Sequence, residues 1–142
     1  MHSYMFAILP LLAWVVSGCL KFAVNALKYG AKAREHIGNG GFPSTHTSVV
    51  SSITMGIGFT VGWDSPLFGL GVALLMITVI DATGVRRAVG THAQWINVLS
   101  RRHPDDEASL LREKQGHTKF EIVGGLGVGT VLGWIASWFI SF

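Results

Sequence analysis

Long apolar stretches separated by short basic loops constrain this chain more than any other feature. Residues 4–27 and 120–142 each carry enough apolar sequence to satisfy the roughly 20 residues needed to cross a hydrocarbon core. Two more apolar stretches lie between them, at 44–63 and at 67–80. The latter is short and is expected to continue inside the protein through Asp81 to Val85. Charged residues make up 13% of the chain, against about 25% in an ordinary soluble domain, and the mean hydropathy is +0.45. This is the composition of a protein that lives in a bilayer. At 142 residues, one domain spanning 1–142 is expected.

The net charge of +3 and pI near 9.4 do not imply a nucleic-acid partner. The basic residues fall in loops between apolar runs, as they do in membrane proteins facing an anionic lipid surface. Cys19 is the single cysteine, so no disulfide framework exists; inside an apolar run it is expected to be a small core residue. The first apolar run has no basic segment ahead of it and is expected to be a retained span rather than a signal peptide.

Residues 86–99 read as a helix lying at or near the interface, with Val89, Ala93, Trp95, Ile96 and Leu99 as its apolar members. Residues 101–114, with Asp105-Asp106-Glu107, read as a solvated loop or short helix. Gly125, Gly129 and Gly133 repeat every four residues and form a small-residue stripe for close helix packing. The expected architecture is an all-α integral membrane bundle of about four transmembrane helices plus the interfacial helix. With four spans, all 11 Lys and Arg residues fall on one side or at its boundary, and the opposite side carries only Asp64. The positive-inside rule makes the basic side cytoplasmic.

Two polar stretches on that side carry the chemistry. In Gly40-Gly41-Phe42-Pro43-Ser44-Thr45-His46-Thr47, glycines permit close backbone approach and Ser44 stands where a helix N-cap belongs. The unpaired N–H groups of a helix start seat an anion, and His46 falls in the first turn. In Gln115-Gly116-His117-Thr118-Lys119-Phe120-Glu121, His117 and Glu121 stand four apart, which predicts one helix face and a carboxylate that fixes the imidazole tautomer. Such a pair can also bind a metal, but no third and fourth ligand accompany it. Asp81, at membrane depth, needs a partner, and Arg86 or Arg87 can turn back to it or reach a phosphate. Lys21 either snorkels to the interface or points at that phosphate. His36, His92 and His103 read as incidental.

Gly-Gly-Phe-Pro-Ser-Thr-His, Asp-Ala-Thr-Gly-Val-Arg-Arg and Gly-His-Thr-Lys-Phe-Glu, in this order over nearly the whole chain, resemble the divergent PAP2 family. These are small relatives of acid phosphatases and vanadium-dependent haloperoxidases. The resemblance implies that Pro43-Ser44-Thr45-His46 is the second phosphate motif, with Ser44 and Thr45 at the phosphate and His46 as general acid. It implies that His117 is the nucleophile and that Glu121 replaces the orienting aspartate. Lys21, Lys32 and Arg34 are the candidates for the first motif. Thr45 stands where the wider superfamily has glycine, and Arg112 is one residue nearer to His117 than the third-motif arginine, so Arg86 or Arg87 is expected to supply that charge.

The function implied is a metal-independent lipid phosphatase without cofactor, acting through a phosphohistidine at the cytoplasmic face of a bacterial inner membrane. Phosphatidylglycerophosphate, made at that face, is the favoured substrate. Phosphatidic acid and prenyl phosphates or diphosphates are the alternatives, and a homodimer can make up for the small number of spans. The rival reading is a non-enzymatic protein that binds lipid phosphates without turnover.

Overall fold

The computed structural model describes residues 4–30, 41–101 and 110–140. Lys32, Arg34, His36, His103 and the acidic run 105–107 lie outside them. The described residues form five helices and no strand: α1 (Met5–Tyr29), α2 (Thr45–Thr60), α3 (Pro66–Thr83), α4 (Val85–Ser100) and α5 (Lys119–Ile140). The fold is an all-α bundle, as the apolar runs predict. Local signals set the helix starts. Ser44 caps α2, accepting from the Thr47 N–H, and Ser65 caps α3, accepting from the Phe68 N–H at 3.1 Å with Pro66 at the first helical position.

Among the described residues, three segments are long and apolar enough to cross a membrane: Met5–Tyr29, Pro66–Ser100 and Lys119–Ile140. The expected span at 44–63 is the exception. As α2 it has 16 residues, roughly 24 Å of helix, and its sequence is rich in hydroxyls. That composition follows from its position, because α2 packs against α1, α3 and α5 at once. Thr47, Ser48, Ser51, Ser52 and Thr54 are all completely buried. The Thr47 hydroxyl donates to that of Ser44, and the others donate to carbonyls, Ser48 to Ser44 at 2.9 Å and Thr54 to Val50 at 2.8 Å, while that of Ser51 crosses to Gly125 of α5 at 3.3 Å. No buried side-chain polar atom among the described residues is left unpaired.

The contact between α2 and α5 is made backbone to backbone. A Cβ on Gly125 would stand 2.6 Å from the Ser44 carbonyl oxygen. One on Gly129 would lie 2.7 Å from both the Ser48 oxygen and the Ser52 nitrogen, and one on Gly133 would lie 2.7 Å from the Gly56 nitrogen. The glycine stripe therefore climbs α5 in step with residues 44–56 of α2, so the two helices run parallel and in register. Large side chains point the other way. Leu11, Trp14, Leu70, Ile77, Trp134 and Phe139 are all exposed on the outside of the bundle, where lipid tails are as good a solvent as a protein core. Cys19 is a correction: it faces outward with them rather than lying in the core.

Helix α4 covers the residues expected to form an interfacial helix and packs little on the bundle. Its inward face, Gly90, Ala93 and Asn97, holds the chain that returns to α5. A Cβ on Gly90 would meet the Glu113 carbonyl oxygen at 2.6 Å. The Asn97 side chain pairs with Leu111 in both directions at 2.8 Å and also donates to Glu113 Oε1. Residues 110–114 are thus exposed but fastened, not a free loop.

Gly129→Ala is expected to lower stability by about 1–3 kcal/mol through overpacking, because its new methyl meets backbone that cannot yield. Gly127→Ala, whose Cβ meets nothing within 4 Å, should be neutral or slightly stabilising. Thermal unfolding of the two purified variants in one detergent checks the contrast.

Candidate functional site

The parallel pair α2/α5 places two helix starts side by side. A backbone hydrogen bond from the Ser44 N–H to the Glu121 carbonyl, 2.8 Å, ties them together at the level of the site. Phe42 packs its ring over Gly124 of α5, which seats the segment leading into α2. Ser44 is fully buried, and its hydroxyl accepts from the Thr47 N–H at 3.4 Å and the Thr47 hydroxyl at 2.9 Å. The N–H groups of Thr45 and His46, in the first turn, have no intrahelical partner and carry the positive end of the dipole. Thr45 is helical and non-glycine residues with positive φ are absent among the described residues, so threonine in place of glycine asks nothing unusual of the backbone here.

His117 departs from the expected geometry. It is not on α5 but precedes it by two residues, with Thr118 as the N-cap. Thr118 and Glu121 form a capping box: the Glu121 N–H donates to the Thr118 hydroxyl at 3.3 Å and the Thr118 N–H to Glu121 Oε2 at 3.0 Å. The same Oε2 lies 3.0 Å from His117 Nδ1. The His117–Glu121 pair forms, but it forms because a cap glutamate reaches back over the helix start. A carboxylate oxygen there accepts, so Nδ1 carries the proton and Nε2 keeps its lone pair.

The rest of the His117 environment is equally fixed. Its N–H donates to the Ala82 carbonyl at 3.0 Å, which anchors it to the end of α3. Gly116 has φ 81°, and a Cβ there would lie 2.9 Å from that same oxygen and against Arg87. The His117 side chain is buried, whereas His46 is exposed. The two rings lie 6.1 Å apart between centroids, tilted by 55°. Arg86 and Asp81 are paired through Nε and Oδ2 at 2.5 Å. Both act electrostatically on His46, as does Lys21. Among the described residues the terminal nitrogens of Arg86 have no partner, so the fork remains open to an anion. Lys21 is half-buried and within electrostatic reach of Glu121 and Arg112.

Of the residues singled out in the sequence, the structure brings together Lys21, Ser44, Thr45, His46, Asp81, Arg86, His117 and Glu121. Arg87 lies under Gly116, beside His117 rather than between the rings. His92 is exposed on α4. Three contributors were not anticipated: Thr118, Asn97 and the Ala82 carbonyl. The Thr-x-x-Glu spacing at 118–121 is a readable capping signal; the other two carry no local signature.

The model of the divergent PAP2 family matches residues 2–132. The chain belongs to the divergent PAP2 family. It is similar to the uncharacterized membrane protein YuiD of Bacillus subtilis (strain 168), 31% identical over 114 residues that cover 70% of this chain and 72% of the relative. No solved structure matches. With this membrane-protein relative and three apolar helices, the chain is an integral membrane protein.

Diethyl pyrocarbonate is expected to modify His46 faster than the buried His117. Gly116→Ala, by straining the backbone and pushing on Ala82 and Arg87, should raise the rate at His117 several-fold. Residue-resolved mass spectrometry checks both.

Proposed function

We propose that this protein is a metal-independent lipid phosphatase, and that the site between His46 and His117 takes a lipid phosphate monoester. The observation that carries the reading is the pair of imidazoles 6.1 Å apart, one buried with Nδ1 held by Glu121 and one exposed in the first turn of a helix. Structural histidines have no need of this asymmetry; a nucleophile and a proton donor do. Nε2 of His117 attacks phosphorus while the bond to the lipid oxygen breaks, and His46 as imidazolium gives that oxygen its proton. Water then attacks the phosphohistidine, neutral His46 takes its proton, and orthophosphate leaves with Nε2 restored. Arg86, aimed by Asp81, Lys21 and the first-turn N–H groups of α2 meet the charge of the transferring group. These cations do for the phosphoryl oxygens what a divalent ion does elsewhere, so the chemistry needs no metal.

The basic loops favour a site at the cytoplasmic face of the cytoplasmic membrane, within reach of lipid headgroups. Phosphatidylglycerophosphate fits that placement best, with phosphatidic acid and prenyl phosphates or diphosphates as the comparison substrates. A second copy of the chain would add protein around a site that so small a bundle leaves partly open.

His117→Ala should lower phosphate release at least about 10³-fold. His46→Ala should lower it about 10²–10⁴-fold on lipid monoesters and much less on an aryl phosphate, whose leaving group needs no proton. Release from purified protein in detergent decides this. Full activity in His117→Ala removes the nucleophile, and an equal loss on both substrate types removes the general acid. Absence of turnover in the wild type on every lipid phosphate leaves the chain a binding protein.

A further inference from the structure

Beside the two imidazoles the bundle holds a cavity of about 610 Å³, within the range of small-molecule sites. His117 and Glu121 form part of its wall, but His46, Arg86 and Lys21 do not. It is therefore an adjoining chamber, not the space between the rings. Three cations line it: Lys28 from the last turn of α1, Arg87 from α4 and Lys114 from the strap before His117. Among the described residues none of the three makes an ion pair, since the carboxylate on the wall, Glu121, is engaged by His117 and the Thr118 N–H. Phe42 and Phe120, with rings 6.2 Å apart, supply an apolar side.

Asn25 is the decisive residue. It sits in α1 with only 7% of its surface exposed, lines this cavity, and makes no hydrogen bond among the described residues. No fully buried side-chain polar atom among the described residues is unpaired, so the unbonded amide of Asn25 opens onto the cavity that it lines. An amide held in the wall and open to a chamber with three unpaired cations can donate to what the chamber holds, and the ligand that fits is an anion with oxygen acceptors.

We propose that this cavity is a second anion subsite, in which Asn25, Lys28, Arg87 and Lys114 hold another phosphate group of the same lipid whose terminal phosphate lies between His46 and His117. The inference rests on the phosphatase reading for the first phosphate, and it makes a lipid with two phosphate groups the preferred ligand over one with a single phosphate. The aromatic pair covers the carbon skeleton that joins the second phosphate to the acyl or prenyl chain.

Binding without turnover tests it. The His117→Ala protein in detergent is titrated with phosphatidylglycerophosphate, a prenyl diphosphate and phosphatidic acid. The lipids with two phosphates should bind at least about tenfold tighter than phosphatidic acid. Preference for phosphatidylglycerophosphate alone places a glycerol between the two anions, and equal preference for the diphosphate places them adjacent. In the Lys28→Gln/Lys114→Gln double variant, and independently in Asn25→Leu, that ratio should fall toward one. Lys119→Gln, a surface cation on the same face but outside the cavity, should retain it. Equal affinity for one and two phosphates, or a ratio indifferent to these substitutions, overturns the subsite. The two readings fail separately. Phosphate release with a ratio of one removes the subsite and keeps the enzyme, whereas a preserved ratio in wild-type protein that releases no phosphate removes the enzyme and keeps the subsite.

Discussion

The near-contact of two backbones, α2 against α5, is the constraint on which the rest depends. Large apolar side chains cannot drive helix association in a bilayer, because lipid solvates them equally well. Association has to come from close van der Waals approach and from hydrogen bonds made inside. Glycines at 125, 129 and 133 permit the first, and the buried hydroxyls of Thr47, Ser48, Ser51, Ser52 and Thr54 satisfy the second. The interior is consequently small and polar and the exterior large and apolar, the reverse of a soluble domain. Both histidines are carried at the starts of these two helices, so their separation follows from the closest-packed contact in the molecule.

Around that pair the charges are layered. Glu121 serves the α5 cap and the His117 tautomer with one oxygen, and Asp81 takes one nitrogen of Arg86 and leaves the others outward. An exposed ion pair of this kind contributes little stability, in the range of about 0–1 kcal/mol, so its consequence is direction. Asn97 acts further back, fastening residues 111–113 and through them the approach to Gly116 and His117.

Much of this was legible in the sequence, for physical reasons that differ by residue. The spans at 4–27 and 120–142 show in hydropathy alone, Ser44 shows as a cap, and the glycine stripe shows by its spacing. The helix over 44–63 was harder, because a helix surrounded by other helices loses the apolar signature that lipid contact imposes; its serines report the neighbours, not the membrane. His117 was placed on the α5 face because four-residue spacing is shared by two geometries, a helix face and a cap that reaches back. Cys19 could not be oriented, since in a bilayer both faces of a helix accept a small apolar side chain. Asn25 and Asn97 have no local pattern, and only the fold reveals one as a clamp and the other as an amide in a chamber.

The shared register of α2 and α5 has a mechanical consequence. A bilayer thicker or thinner than the bundle is accommodated by tilting helices, and these two can tilt only as a single rod. Such tilting shifts how deep the imidazoles ride relative to the headgroup plane but leaves the gap between them unchanged. On the phosphatase reading proposed above, lipid composition therefore acts on how a headgroup reaches the site, while the internal spacing of the site is insulated from the membrane that holds it.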